Sequence, residues 1–296
     1  MIAFIQYLIR FSFTEPMNLP HALDHWYFSL GVLCSILLAA GGYVINDLYD
    51  LQTDSLNKPQ RITIGKSVSE DFAWYFYFAT VALATLCSYF LALKVDMSNL
   101  WMIAPLAASL LYLYAFDLKK RPIIGNVIVS LLTAMPIFLI AIFDFLPAGN
   151  EENAPVVQEG FKVIMYYSLL AFWLNFIREM IKDLEDKEGD RLSAYKTLAI
   201  LLPAKIMKLV IIAIVLIGLY PILDYTINSL FGSANYSSGS YVLLAVVLPL
   251  LLLIYQIFRA NAPIQFHKAS SLAKLIMLLG ILSMPFFTLA FFYGWP

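Results

Sequence analysis

Charge is scarce in this chain. Only 13% of its 296 residues are Asp, Glu, Lys or Arg, where a soluble domain would carry about 25%. The hydrophobic share is 61% and the mean hydropathy +0.78, so much of the apolar surface must face lipid. Cysteine is nearly absent too. Cys34 and Cys87, the only two, fall inside apolar runs and read as buried thiols that pack as small hydrophobes. With three His residues, no Cys or His spacing suggests zinc or haem attachment. The start of the chain lacks the ordered basic stretch, apolar core and cleavage site of a signal peptide. A net charge of −1 says little by itself; the placement of each charge matters more.

What is abundant is long apolar runs. Eight have the 18 to 25 residues needed to cross hydrocarbon (about 18 to 25), near 25–46, 72–93, 99–116, 123–146, 162–181, 206–224, 241–258 and 272–294. Each reads as a helix, because an isolated strand leaves its backbone unpaired in lipid. Met1 to Phe13 is apolar but short, is interrupted by Arg10, and looks like the tail of a further spanning helix. The segments near 147–161 and 225–240 read as loops without a core of their own, which leaves one membrane domain over 1–296.

The connections alternate in charge. One side holds Lys58, Arg61 and Lys66, then Lys119, Lys120 and Arg121, then Lys182 to Lys205, then Arg259, Lys268 and Lys274; the other is acidic, with Lys94 and Lys162 as its cations. The positive-inside rule places the basic side in the cytoplasm of a cell inner or plasma membrane and the C-terminus on the opposite face.

Carboxylates are costly at a bilayer edge and seldom stand there without a cation or a task. Two groups of them do so here. The first runs from Asn46 and Asp47 through Asp50 and Asp54 to Asn57, Lys58 and Arg61; the second runs from Arg178 and Glu179 through Asp183, Glu185 and Asp186 to Asp190. Helical positions four apart drift by only about 40°, so Asn46, Asp50 and Asp54 form one stripe. Glu179 and Asp183 repeat that geometry, as do Asp186 and Asp190, with Gly189 expected to end or loosen the helix. Like charges at this spacing repel. Mg²⁺ would offset them, since it takes one or two carboxylates together with phosphate oxygens. Arg178 is expected to pair with a neighbouring carboxylate, whereas Asn175 either bonds within the bundle or faces the site. His21 and His25 read as interfacial bystanders, and His267 is on the basic side but has no ligand-like partner.

The pattern Asn46-Asp47-x-x-Asp50-x-x-x-Asp54-x-x-Asn57-Lys58-Pro59-x-Arg61, paired with Asp183-x-x-Asp186-x-x-x-Asp190, resembles the UbiA superfamily of intramembrane prenyltransferases. Tyr112-x-Tyr114-x-x-x-Leu118-Lys119-x-x-Pro122-x-x-Gly125-Asn126 resembles that family's cytoplasmic loop before the fifth helix. The resemblance implies an all-α bundle of about nine transmembrane helices, the first one shortened here, around a central cavity capped by cytoplasmic loops. It implies two Mg²⁺ ions bridging a prenyl diphosphate, one held by Asn46, Asp50 and Asp54 and the other by Asp183, Asp186 and Asp190. Arg61, Lys58 and Lys119 are then the cations for the leaving diphosphate, and Asn46, Asn57 and Tyr114 further substrate contacts. Asp50, Asp54, Asp183, Asp186, Arg61 and Lys119 are the residues expected to carry catalysis. Lys120 and Arg121 read as anchors to anionic headgroups.

The stretch Arg178 to Asp190 most resembles the digeranylgeranylglyceryl phosphate synthase branch, which implies a geranylgeranyl diphosphate donor and a lipophilic glycerol-phosphate acceptor. Prenylation of a hydroxybenzoate or naphthoate is the alternative within the superfamily. A cation-coupled transporter is more remote, because transporters place their binding groups near the midplane. No nucleic acid and no obligate protein partner is expected.

Overall fold

The computed structural model describes residues 1–57, 63–192 and 195–294, with the backbone alone for 52–57. The described residues are helical almost throughout, the one β feature being an isolated bridge between Ile64 and Val68. In chain order, α1 (Ile2–Ile9) continues into a wider turn at Arg10–Thr14 and is followed by α2 (His25–Asn57) and α3 (Glu70–Lys94). A tight turn at Ser98–Met102 leads into α4 (Ile103–Phe116), and α5 (Ile124–Ile140) follows. Then come α6 (Ala154–Glu185), α7 (Lys187–Leu192), α8 (Leu198–Leu201), α9 (Ala204–Asp224), α10 (Tyr236–Val242), α11 (Leu248–Arg259) and α12 (Pro263–Tyr293). Among the described residues, eight segments are long and apolar enough to span a membrane, α10 and α11 forming a single one, and they coincide with the eight apolar runs of the sequence. The protein is therefore integral to the membrane. Ile2–Thr14 is a shorter apolar helix.

Two segments expected to be loops are largely helical. Asn150 and Asn153 bond each other's backbone N–H groups, at 2.7 Å and 2.9 Å, and α6 starts directly after them. Asn235 likewise accepts the Ser238 N–H at 3.2 Å and opens α10. Asn supplies a side-chain acceptor for the orphan N–H groups of a helix start, so polar residues that read as loop were serving as caps.

The chain divides into two compact units, Met1–Tyr7 with Asn18–Ser168 and Leu8–Met17 with Leu169–Pro296. In the first, Asp24 caps α2 by accepting the Trp26 and Tyr27 N–H groups, both at 3.0 Å. The Tyr27 bond foremost holds its carboxyl below the usual range. Lys94, the last residue of α3, reaches Asp24 at 3.4 Å, which puts these two helix ends at one level, as the charge alternation requires. The interior is built from small residues: Cys34, Ala84, Cys87, Ala104, Ala107 and Ala108 are buried together with Leu38. Small side chains let helices approach closely where lipid offers no hydrophobic drive between them. A Cβ on Gly41 would lie 2.8 Å from Thr80 Oγ1 and one on Gly42 2.8 Å from Leu111 Cδ2, so α2 meets α3 and α4 closely one turn before Asn46. Gln6 ties α1 down by donating to Ser35 Oγ at 3.0 Å and to the Pro136 carbonyl at 2.9 Å.

The second unit has a larger aliphatic core. Met207, Ile211 and Val215 of α9, spaced by four, meet Ile177 and Ile181 of α6, Leu250 and Leu253 of α11, and Ala269, Ala273 and Ile276 of α12. Leu209, Leu216 and Ile217 of α9 stay exposed, the face such a helix turns to lipid. Arg10, fully buried, pairs with Glu15 at 2.7 Å. Trp173 of α6 donates to the Ile214 carbonyl at 3.1 Å and fills the space left by Gly218, where a Cβ would stand 2.2 Å from the indole. Gly218→Ala is expected to expel the ring and cost about 1–3 kcal/mol. Heat denaturation of the detergent-solubilised protein measures this, and an unchanged midpoint would refute the tight fit.

Candidate active site

At 1.5 Å per residue the 33 residues of α2 extend about 50 Å, against about 30 Å of hydrocarbon. If Asp24 and Trp26 mark one interface, roughly 20 residues cross the apolar layer, and Asn46 and Asp50 emerge where it ends. The register is set by Ile45, which is buried against Tyr77 and Ala115, leaving the next face for the polar residues. Asn46 Nδ2 donates to Asp50 Oδ2 at 2.8 Å. Lys119 stands over both: its Nζ lies 2.6 Å from Asp50 Oδ1 and 3.2 Å from Asn46 Oδ1. The Lys119 side chain is 7% exposed and that of Asp50 17%. Both partners of this pair are thus largely withdrawn from water.

The Lys119 loop is held under tension. Ile123 has φ +65° and ψ −48°, and Ile124 N–H bonds the Pro122 carbonyl at 2.7 Å, which is the rare γ-turn with positive φ. A β-branched residue there costs about 1–3 kcal/mol. Gly125 makes the approach possible, since a Cβ on it would sit 2.8 Å from the Leu118 carbonyl oxygen and 2.9 Å from Lys119 Cα. From the other side, Tyr49 and Tyr112 hydrogen-bond through their hydroxyls at 2.8 Å, with Trp74 and Phe116 edge-on to Tyr49. This aromatic set locks the end of α4 to α2 just before the loop. Tyr114 lies two residues from Tyr112, about 200° around the helix, so it points away from that set and is half-buried. The side chains of Asp54 and Asn57, and Lys58 and Arg61 altogether, lie outside the described residues.

The second acidic group lies at the end of α6. Arg178 pairs with Glu179, as expected, and Lys182 reaches the same carboxylate at 3.4 Å, so Glu179 is neutralised by its neighbours. Asp183, Asp186 and Asp190 are all half-buried. The helix breaks at Asp186 rather than at Gly189, which lies inside α7. The backbone bonds Asp186 N–H to the Lys182 carbonyl (2.8 Å) and Asp190 N–H to the Asp186 carbonyl (3.0 Å) carry the one-turn spacing through the bend. His267 Nδ1 lies 2.9 Å from Glu185 Oε1, linking the first turns of α12 to the last residue of α6. Sequence spacing held no signal for a contact between residues so far apart.

Among the described residues no three His, Cys, Asp or Glu side chains stand together closely enough to hold a metal ion. The donor chemistry of the first group still suits one. Asn46 and Asp50 present hard oxygens one turn apart, the kind Mg²⁺ takes in company with phosphate oxygens and water. A cation already bridges those two oxygens, in the form of the Lys119 ammonium.

The chain is similar to known proteins in sequence and in fold. The profile described as "UbiA prenyltransferase family" matches residues 17–278. A digeranylgeranylglyceryl phosphate synthase from Methanopyrus kandleri is 31% identical over 259 residues, covering 86% of this chain and 84% of its own length. The Saccharolobus solfataricus protein of that name is 35% identical over 209 residues, covering 67% and 68%. The fold is similar to that of a UbiA homolog from Aeropyrum pernix K1 solved in its apo form, with a TM-score of 0.67 over 96% of this chain and 99% of that one, at 15% identity.

Proposed function

Because this chain belongs to the UbiA prenyltransferase family, we propose that it passes a geranylgeranyl group from its diphosphate to geranylgeranylglyceryl phosphate. The C1–O bond of the allylic diphosphate breaks with its electron pair going to the diphosphate. The acceptor hydroxyl oxygen then bonds to C1, forming an ether, and its proton leaves to the diphosphate or to water. The observation that carries the reading is Lys119 gathered with Asn46 and Asp50 where an apolar helix leaves the membrane. The relatives named above as digeranylgeranylglyceryl phosphate synthases support the choice of donor and acceptor.

In this reading Asn46, Asp50 and Asp54 would hold one Mg²⁺, and Asp183, Asp186 and Asp190 another. Bound there, Mg²⁺ would neutralise charge growing on the leaving diphosphate. Lys119, with Arg61 and Lys58 by resemblance, would supply positive charge to the same oxygens, which would help the transition state more than the ground state because the charge is still developing. The aromatic pair Tyr49 and Tyr112 keeps the Lys119 loop in place. The active site would face the cytoplasm, with the C-terminus on the outer face, as the distribution of Lys and Arg requires.

Membranes containing the protein are expected to join labelled geranylgeranyl diphosphate to geranylgeranylglyceryl phosphate and not to hydroxybenzoate or dihydroxynaphthoate. EDTA should stop the reaction and excess Mg²⁺ restore it. Transfer to an aromatic acid alone would overturn the acceptor, and full activity in EDTA would overturn the metal.

A further inference from the structure

Tyr43 belongs to the polar stripe of α2, one turn inside the membrane from Asn46. Helical positions seven apart differ by about 20° and positions three apart by about 60°, so Tyr43 shares a face with Asp50 and Asn46. The other faces of this stretch are taken. Gly41, about 160° from Tyr43, presses on Thr80 of α3, and Gly42, about 100° away, presses on Leu111 of α4. Toward the helix end the shared face is covered: Lys119 spans Asn46 and Asp50, and the Asp50 side chain is 17% exposed. At Tyr43 the face opens, and that residue is 76% exposed.

We infer that Tyr43 is a further catalytic residue, whose ring face stabilises the positive charge that develops over C1 to C3 of the prenyl donor. This rests on the proposed function, in which the C1–O bond breaks with its electron pair going to the diphosphate. The donor is itself amphipathic. Its diphosphate belongs with Asn46, Asp50 and Lys119 at the helix end, and its chain belongs in the apolar layer. C1 then lies on the membrane side of the phosphates, where the stripe carries Tyr43. The Cα of Tyr43 is about 4.5 Å along the axis from that of Asn46, and helical side chains lean toward the N-terminus, here deeper into the membrane. The ring is thus at the depth of the first isoprene unit. A helix does not turn a face that bears a carboxylate toward lipid, so a ring on that face borders the reacting end of the donor. An aromatic ring attracts a cation within about 6 Å of its centre, more strongly where water is excluded. The uncleaved donor has no charge at C1. The attraction therefore arises in the transition state, where it raises kcat and leaves KM nearly alone.

The experiment measures single-turnover rates and the donor KM for the full-length protein in membranes, with geranylgeranyl diphosphate and geranylgeranylglyceryl phosphate. Tyr43→Leu is expected to lower the rate about tenfold or more, with the KM within about twofold of the unmodified value. Tyr43→Phe keeps the ring face and should recover most of that loss. Position 43 is then filled with phenylalanine carrying one, two and three ring fluorines, introduced by nonsense suppression. Fluorine draws charge from the ring face with little change in size. The logarithm of the rate should fall in step with the number of fluorines, to about a tenth of the Tyr43→Phe rate at three.

A ring that only packs, or that only meets lipid, would tolerate the fluorines. A flat series, or a Tyr43→Leu rate within about twofold of the unmodified one, overturns the role of Tyr43 and leaves the proposed prenyl transfer standing. No transfer by the unmodified protein removes the proposed function and this inference with it.

Discussion

Asp50→Ala is expected to lower the rate of prenyl transfer roughly 1,000-fold or more while the protein still inserts in the membrane and purifies intact. The carboxylate is the centre of its group, accepting from Asn46 at 2.8 Å and facing Lys119 at 2.6 Å. Its removal would take away an oxygen donor of the proposed cation and also the carboxylate that faces the almost buried Lys119 ammonium. Folding should survive, because Ile45 and the tyrosine pair, not Asp50, make the packing contacts on this stretch of α2. Single-turnover rates with a saturating donor separate a loss in chemistry from a loss in binding. A variant that keeps even a tenth of the rate would end the assignment of Asp50 to the reacting diphosphate.

Asp183→Ala should cause a loss of the same size. Asp183 is half-buried near the end of α6, and the proposed function makes it, with Asp186 and Asp190, a ligand of a cation. Residues that act as a unit lose about as much singly as together. The Asp50→Ala, Asp183→Ala double variant is therefore expected to be scarcely slower than either single one. Losses that multiply instead would mean that the two acidic groups do separate work, and the proposal of one shared diphosphate would fall.

Much of this architecture was readable before any coordinates. The eight spans coincide with the eight apolar runs because crossing hydrocarbon imposes a length and a composition at once. The same pressure makes a carboxylate at a helix end conspicuous, so Asn46, Asp50, Asp183, Asp186 and Asp190 could be picked out by spacing alone. Readings failed where a polar residue had two uses. Asn150 and Asn235 have the composition of loop but act as helix caps, and Gly189 suggests a stop although the bend falls three residues earlier. Asp54 was legible by the same spacing and Asn57, Lys58 and Arg61 by resemblance, and the described residues do not include their side chains.

Hydropathy and helical periodicity act through near neighbours, and for that reason the chain alone was enough to establish a polytopic helical membrane protein with two acidic groups at its helix ends. Which partners those groups meet is a matter of packing between distant segments. Lys119 reaches Asn46 across 73 positions, and His267 reaches Glu185 across 82. Neither contact leaves a periodic trace, because each follows from how closely Gly41, Gly42 and Gly125 in one unit, and the aliphatic seam of α9 in the other, allow the helices to approach.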